Sequence, residues 1–155
     1  MANEKTNVMR KLTSMKISFK EHYYNGVIGG MDVASSLGEN PEQVFKTLVT
    51  TGKSGEHFVF MVPVSSELDL KKAASAAGEK SIEMLKSKDL LPLTGYIHGG
   101  CSPIGMKKLF KTFIHKTARD FNTILFSGGK IGCQVELSPD DLEKAVPIIY
   151  ADIIK

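Results

Sequence analysis

Two places in the sequence have the residue types for chemistry. The first is Gly95-Tyr96-Ile97-His98-Gly99-Gly100-Cys101-Ser102-Pro103-Ile104-Gly105, with four glycines and one proline in eleven residues. Glycine allows close backbone approach and positive φ, and proline fixes a turn. Two readings follow. The stretch is either a tight connection between strands or a set of backbone N–H groups aimed at a carbonyl or phosphate oxygen. Tyr96, Ile97 and Ile104 predict that it is packed at its ends and bent in the middle. The second place is Lys46, inside Val44-Phe45-Lys46-Thr47-Leu48-Val49. An ammonium among apolar neighbours must reach water, an acid or an anionic ligand. Its stem can also lie over apolar surface while its head stays in solvent.

Other familiar sites fail on spacing. Gly52-Lys53-Ser54 ends like a phosphate-binding loop, but Thr47 stands where that motif needs a glycine. His98 and Cys101 have zinc-like spacing, yet two ligands do not make a site, and no metal or cofactor is expected. Cys101 and Cys133 read as small packed thiols and His98 as a loop histidine. No Gly-x-Ser-x-Gly elbow is present. Ser102 before Pro103 reads as a turn former, and Ser127 as a hairpin-end serine. What remains is a glycine cradle, a stranded lysine and no evident nucleophile. That combination suits an activated, anionic or ester ligand better than an inert bond.

The surrounding chain must position these residues. Its 155 residues, 42% hydrophobic and 24% charged, predict one domain over 1–155. No apolar run approaches a membrane span. Two cysteines make no disulfide framework, which predicts a cytoplasmic protein. Net charge is only +3, but it is unevenly spread. Met106 to Arg119 carries five cations and no acid, and Glu136 to Asp152 carries five acids against Lys144. This basic stripe is either a polyanion-docking face or ordinary solvated surface.

Periodicity predicts a helix over 3–15, a strand over 17–24 and a glycine-rich loop over 25–30. A short helix capped by Asp32 then ends at Gly38. Strands 44–51 and 57–64 form a hairpin around Gly52-Lys53-Ser54-Gly55. Asp69 and Gly78 bound a helix, 81–85 is a short strand, and 87–91 is a helical turn ending before Pro92. Then come a strand over 110–115 and a hairpin of 123–127 with 131–137. The last helix starts at Ser138-Pro139, with Leu142, Ala145, Val146 and Ile149 as its buried face. The expected class is α+β, a mixed, mostly antiparallel sheet with helices against it.

Five segments together resemble the YbaK/EbsC family of aminoacyl-tRNA deacylases, relatives of the editing domain of bacterial prolyl-tRNA synthetases. They are Val44-Phe45-Lys46-Thr47-Leu48, Leu68-Asp69-Leu70-Lys71-Lys72, Thr94-Gly95-Tyr96, Gly99 to Gly105, and Ser127-Gly128-Gly129-Lys130. The resemblance implies a single domain with a curved, barrel-like sheet flanked by helices. It implies an enzyme that clears cysteine from mischarged proline tRNA in trans, alongside prolyl-tRNA synthetase, with the substrate thiol attacking its own ester. By the same resemblance Lys46 is the essential lysine; given an ester substrate, the Gly99, Gly100 and Cys101 N–H groups are expected to receive the carbonyl oxygen on which charge develops. Tyr24, Thr47, Ser102, Pro103, Gly105, Ser127 and Gln134 are expected to line the pocket around the aminoacyl-adenosine end, and the basic stripe, through Lys107, Lys108 and Lys111, is expected to contact tRNA backbone. The chain departs from the family at Gln134, where many relatives carry aspartate; Glu136 on the same strand face is a possible substitute. Also open are a deacylase for alanine or another small amino acid, a non-catalytic tRNA- or synthetase-binding module, and a hydrolase using Cys101.

Overall fold

The computed structural model describes residues 5–25 and 29–155. In chain order its elements begin with α1 (Asn7–Ser14), β1 (Lys20–Tyr23), α2 (Gly30–Leu37), β2 (Phe45–Gly52) and β3 (His57–Pro63). Next come α3 (Leu70–Ala77), β4 (Ile82–Met84), α4 (Ser87–Thr94) and β5 (Lys111–His115). After a 3₁₀ turn at Lys116–Asp120 follow β6 (Ile124–Ser127), β7 (Cys133–Leu137), α5 (Pro139–Ala145) and β8 (Ile148–Ala151).

The strands make a five-stranded sheet, β4-β2-β3-β5-β8, and a three-stranded sheet, β1-β7-β6. Only the β3–β5 and β5–β8 pairs are parallel, so pairing is mixed and mostly antiparallel. The sheets stay open and do not close into a barrel. A single parallel bridge joins them, Val44 to Leu125, with Leu125 N–H donating to Gln43 O at 3.0 Å.

Alternation along β2 sends Phe45 and Val49 into the main core, with Val59, Met61, Ile114, Phe126 and Val135. Leu48 packs on the opposite side, in a cluster containing Phe58, Phe60, Phe113 and Ala73 of α3. Asp69 caps α3 by accepting from the N–H groups of Lys71 and Lys72, and Gly78 ends it at φ 74°. The first turn of α2 lies so close to the end of β3 that a Cβ on Gly30 would sit 2.2 Å from Val64 Cγ1.

Several elements differ from expectation. Helix α1 starts at Asn7, capped by Thr6, and Ile17 is still tied to it by a 2.9 Å bond to Leu12 O, so β1 begins only at Lys20. Asp32 is not a cap. Gly29 holds that position, and Asp32 sits in the first turn, where its charge suits the helix dipole. The loop expected over 25–30 lies largely outside the described residues. Helix α4 continues through Pro92 to Thr94. Proline removes one donor, but Thr94 Oγ1 donates to Leu90 O and Gly95 N–H to Leu91 O, which holds the last turn. The final helix stops at Ala145. Pro147 forces Val146 into an extended conformation, so Ile149 belongs to edge strand β8 rather than to a buried helix face.

Candidate active site

The site forms where strand pairing is interrupted. On one edge β2 pairs fully with β3. On the other, β4 reaches only Thr50 to Gly52, and β6 touches only at Val44. Gln43 O and Val49 O accept on this edge, from Leu125 and Leu85 N–H respectively. By alternation the N–H and C=O of Thr47, midway between them, point to the same edge. Among the described residues no strand pairs with them there. A cavity of about 370 Å³ fills the gap, and Val44 to Val49 all line it.

The polar lining is sparse. Lys46 is half-buried opposite Val62, and no carboxylate among the described residues lies within ion-pair distance of it. Thr47 Oγ1 and Gln134 Oε1 are buried with no hydrogen-bond partner among the described residues, and both residues line the cavity. Gln134 is only 6% exposed. Ser127, its cross-strand neighbour, accepts from Gly129 N–H at 3.1 Å, which leaves its hydroxyl hydrogen available. Tyr24 is buried at the end of β1, where its N–H donates to Gly132 O. Gly132, at φ 94°, faces Tyr24 O so closely that a Cβ would lie 3.2 Å away.

The glycine loop also contributes to the cavity lining, and its residues divide by role. Gly99, at φ 89°, and Cys101 line the cavity, and among the described residues neither N–H has a hydrogen-bond acceptor. Gly100 N–H is already used, donating to Ile97 O at 3.0 Å. Gly100 instead lies against the β6–β7 turn, where a Cβ would meet the Lys130 and Ile131 backbone at 3.1–3.2 Å. The expected three-donor cradle is thereby reduced to two. Ser102, Pro103 and Gly105 do not line the cavity. Ser102 Oγ accepts from Ile104 N–H, Tyr96 OH donates to Ile104 O at 2.5 Å, and a Cβ on Gly105 would come within 2.8 Å of that hydroxyl. These residues hold the loop from behind. Both ends are packed as expected except at Ile97, which is half exposed.

Lys107, Lys108 and Lys111 lie outside the cavity and are exposed. Lys107 donates to Pro92 O at 3.4 Å, and Lys111 lies 5.9 Å from the Phe113 ring centre. Glu136 does not supply the acid that Gln134 lacks. It is bonded to His22 at 2.8 Å and accepts from Thr123, off the cavity. Burial opposes its ionisation, but those hydrogen bonds prevail and hold the carboxyl below the ordinary glutamate range. Among the described residues no Asp or Glu lines the cavity. Among the described residues no three His, Cys, Asp or Glu side chains converge as metal ligands.

Cys101 is a poor nucleophile, because burial pushes its thiol up to about 12. Alkylation of the folded protein by iodoacetamide at pH 8 is expected to be slow at Cys101 and fast after unfolding, as followed by mass spectrometry. Rapid labelling of the folded state would return Cys101 to consideration as a nucleophile.

Other lining residues were not expected: Gly29, Gly30 and Val33 of the α2 region, Met84 and Leu85 at β4, Ser87 and Leu90 of α4, and His98. Only the Gly29-Gly30 pair and His98 carried any visible signal. The rest arrive from elements distant in sequence.

The open strand edge, the single lysine and, among the described residues, the lack of a carboxylate on the cavity wall mark out an α+β domain with one candidate site beside its central hairpin. Residues 31–145 match the aminoacyl-tRNA editing domain family, and the chain belongs to it. EbsC of Enterococcus faecalis, whose name proposes Cys-tRNA(Pro)/Cys-tRNA(Cys) deacylation, is 46% identical over 97% of this chain and 93% of its own. A proline–tRNA ligase of Pelobacter propionicus is 31% identical over 50% of this chain and 13% of its own. A crystal structure of a protein proposed as a trans-editing enzyme for prolyl tRNA synthetase superposes with a TM-score of 0.85, at 20% identity, over 98% of this chain and 99% of that one. At that identity the superposition speaks for the fold.

Proposed function

We propose that this protein is a trans-acting deacylase that removes cysteine from Cys-tRNA(Pro) and Cys-tRNA(Cys). One observation carries the reading. Among the described residues the cavity offers a cation and unpaired hydrogen-bonding atoms, but no carboxylate and no ionised thiol to serve as the protein's own nucleophile. An aminoacyl ester is already activated, and a cysteinyl ester brings its own nucleophile. The substrate sulfur attacks its ester carbonyl. The Gly99 and Cys101 N–H groups receive the oxygen on which charge develops. Lys46 holds the terminal adenosine or its phosphate. Tyr24, Thr47, Ser127 and Gln134 surround the aminoacyl group. The name of the 46%-identical relative supports the choice of amino acid.

The test is to follow the ester bonds of Cys-tRNA(Pro), Cys-tRNA(Cys) and Ala-tRNA(Pro) with purified protein. Cysteinyl esters are expected to be cleaved and the alanyl ester to persist. Equal cleavage of the alanyl ester would exclude a substrate-thiol route. Delivery by prolyl-tRNA synthetase fits the partial match to a proline–tRNA ligase. Mass photometry of this protein with the synthetase and tRNA would detect the complex.

The basic stripe contributes through phosphates. Replacing Lys107, Lys108 and Lys111 together with alanine is expected to raise KM, leave kcat nearly unchanged, and reduce the slope of log affinity against log salt by about two to three. An unchanged slope would remove these lysines from the tRNA footprint.

A further inference from the structure

One titratable group on the cavity wall has no role in the reading above. His98 lines the cavity beside Gly99, and Lys46 lines the same cavity. The other three histidines are all held elsewhere. His22 is bonded to Glu136, His57 to Thr51, and His115 Nδ1 accepts from Ile153 N–H. His98 is exposed, and among the described residues no side chain or backbone group engages its ring.

Among the described residues of the wall, His98 stands alone as a proton acceptor. No carboxylate is present among them. The Cys101 thiol is buried and held protonated. Lys46 is a cation by class, and the hydroxyls of Tyr24, Thr47 and Ser127 and the Gln134 amide are very weak bases. Imidazole is the side chain whose ordinary proton exchange falls between pH 5 and 8. Sulfur attack on an ester requires the thiol proton to go somewhere, and the leaving ribose oxygen requires one.

We propose that His98 is a catalytic residue of the deacylation, taking the substrate thiol proton and returning it to the ribose oxygen as that oxygen leaves. This rests on the cysteinyl-ester reading. The S–H proton passes to the imidazole as the S–C bond forms. The carbonyl oxygen carries the negative charge beside the Gly99 and Cys101 N–H groups. The C–O bond to ribose then breaks, and the imidazolium proton goes to the departing oxygen. The products are the cyclic thioester of cysteine and tRNA with a free ribose hydroxyl. No proton or electron is gained or lost overall.

The test uses His98→Ala and His98→Asn with Cys-tRNA(Pro), beside wild type with Cys-tRNA(Pro) and S-methylcysteinyl-tRNA(Pro). Both variants should keep the wild-type circular dichroism and lower kcat by about 10²-fold, with KM changed by no more than about twofold. Added imidazole should restore turnover to His98→Ala. Wild-type kcat in His98→Ala, a loss confined to KM, or a loss that imidazole does not restore would each overturn the proposal. The S-methyl substrate separates the two claims. If wild type cleaves it as fast as the cysteinyl ester, the substrate-thiol reading itself fails. If wild type requires the thiol and His98→Ala is unimpaired, only the role of His98 falls.

Discussion

A Lys46→Met variant is expected to fold as wild type does and to lose deacylation of cysteinyl-tRNA by about 10²-fold or more. Methionine keeps most of the aliphatic stem and removes the charge, so packing and electrostatics are separated. No carboxylate among the described residues pairs with Lys46, so the substitution breaks no ion pair within them. Stability should therefore move by less than about 1 kcal/mol, read by chemical denaturation. The effect on activity is large because, among the described residues, Lys46 is the only lysine or arginine on a wall with no carboxylate. Its field there is neither neutralised by a neighbour nor fully screened by water. Single-turnover measurements would show whether the loss lies in binding or in the chemical step. A Lys46→Met protein with full activity would remove Lys46 from the mechanism.

Gln134→Leu should move stability and activity in opposite directions. Among the described residues Gln134 Oε1 is buried without a partner. A buried, unsatisfied polar group costs about 1–3 kcal/mol, and an apolar replacement of similar shape removes that cost. The leucine variant should therefore melt at a higher temperature than wild type. Its deacylation should fall by about tenfold or more, since each lost hydrogen bond to the bound aminoacyl group is worth about 1 kcal/mol or more. This opposition marks a group kept for a ligand rather than for the fold. A variant that is destabilised and fully active would make Gln134 a structural residue instead.

Much of the fold could be read from short-range patterns. Asp69 and Gly78 bounded α3, and the Gly52–Gly55 turn set the β2–β3 hairpin, because those signals act within a few residues. Errors arose where a local pattern met a stronger constraint. Leu142, Ala145, Val146 and Ile149 have helical spacing, but Pro147 ends the helix between them. Pro92 looked like a stop, yet Thr94 and Gly95 supply bonds that carry α4 past it. Lys46 was legible because a charge inside an apolar run has few explanations. Gly100 was legible as a special glycine but not in its role. Its N–H is taken by Ile97, and its missing side chain serves an approach to Lys130, thirty residues on. The contributions of Met84, Ser87 and Leu90 depend on where β4 stops along β2, which no local pattern encodes.

The interrupted edge of β2 also bears on how this site can change its selectivity. A pocket made of surface loops can be reshaped by insertion or deletion while its scaffold stands. Here six consecutive wall positions, Val44 to Val49, also belong to or adjoin the central hairpin, and Thr47 lines the cavity on the strand's unpaired edge. Every substitution there is screened twice, once for strand formation and once for substrate. Lasting changes of substrate should therefore arise on the rest of the wall, in the glycine loop and at the N-terminal ends of α2 and α4, while β2 keeps its sequence. In a collection of variants selected for a new aminoacyl group, the mutations would gather on one side of the cavity.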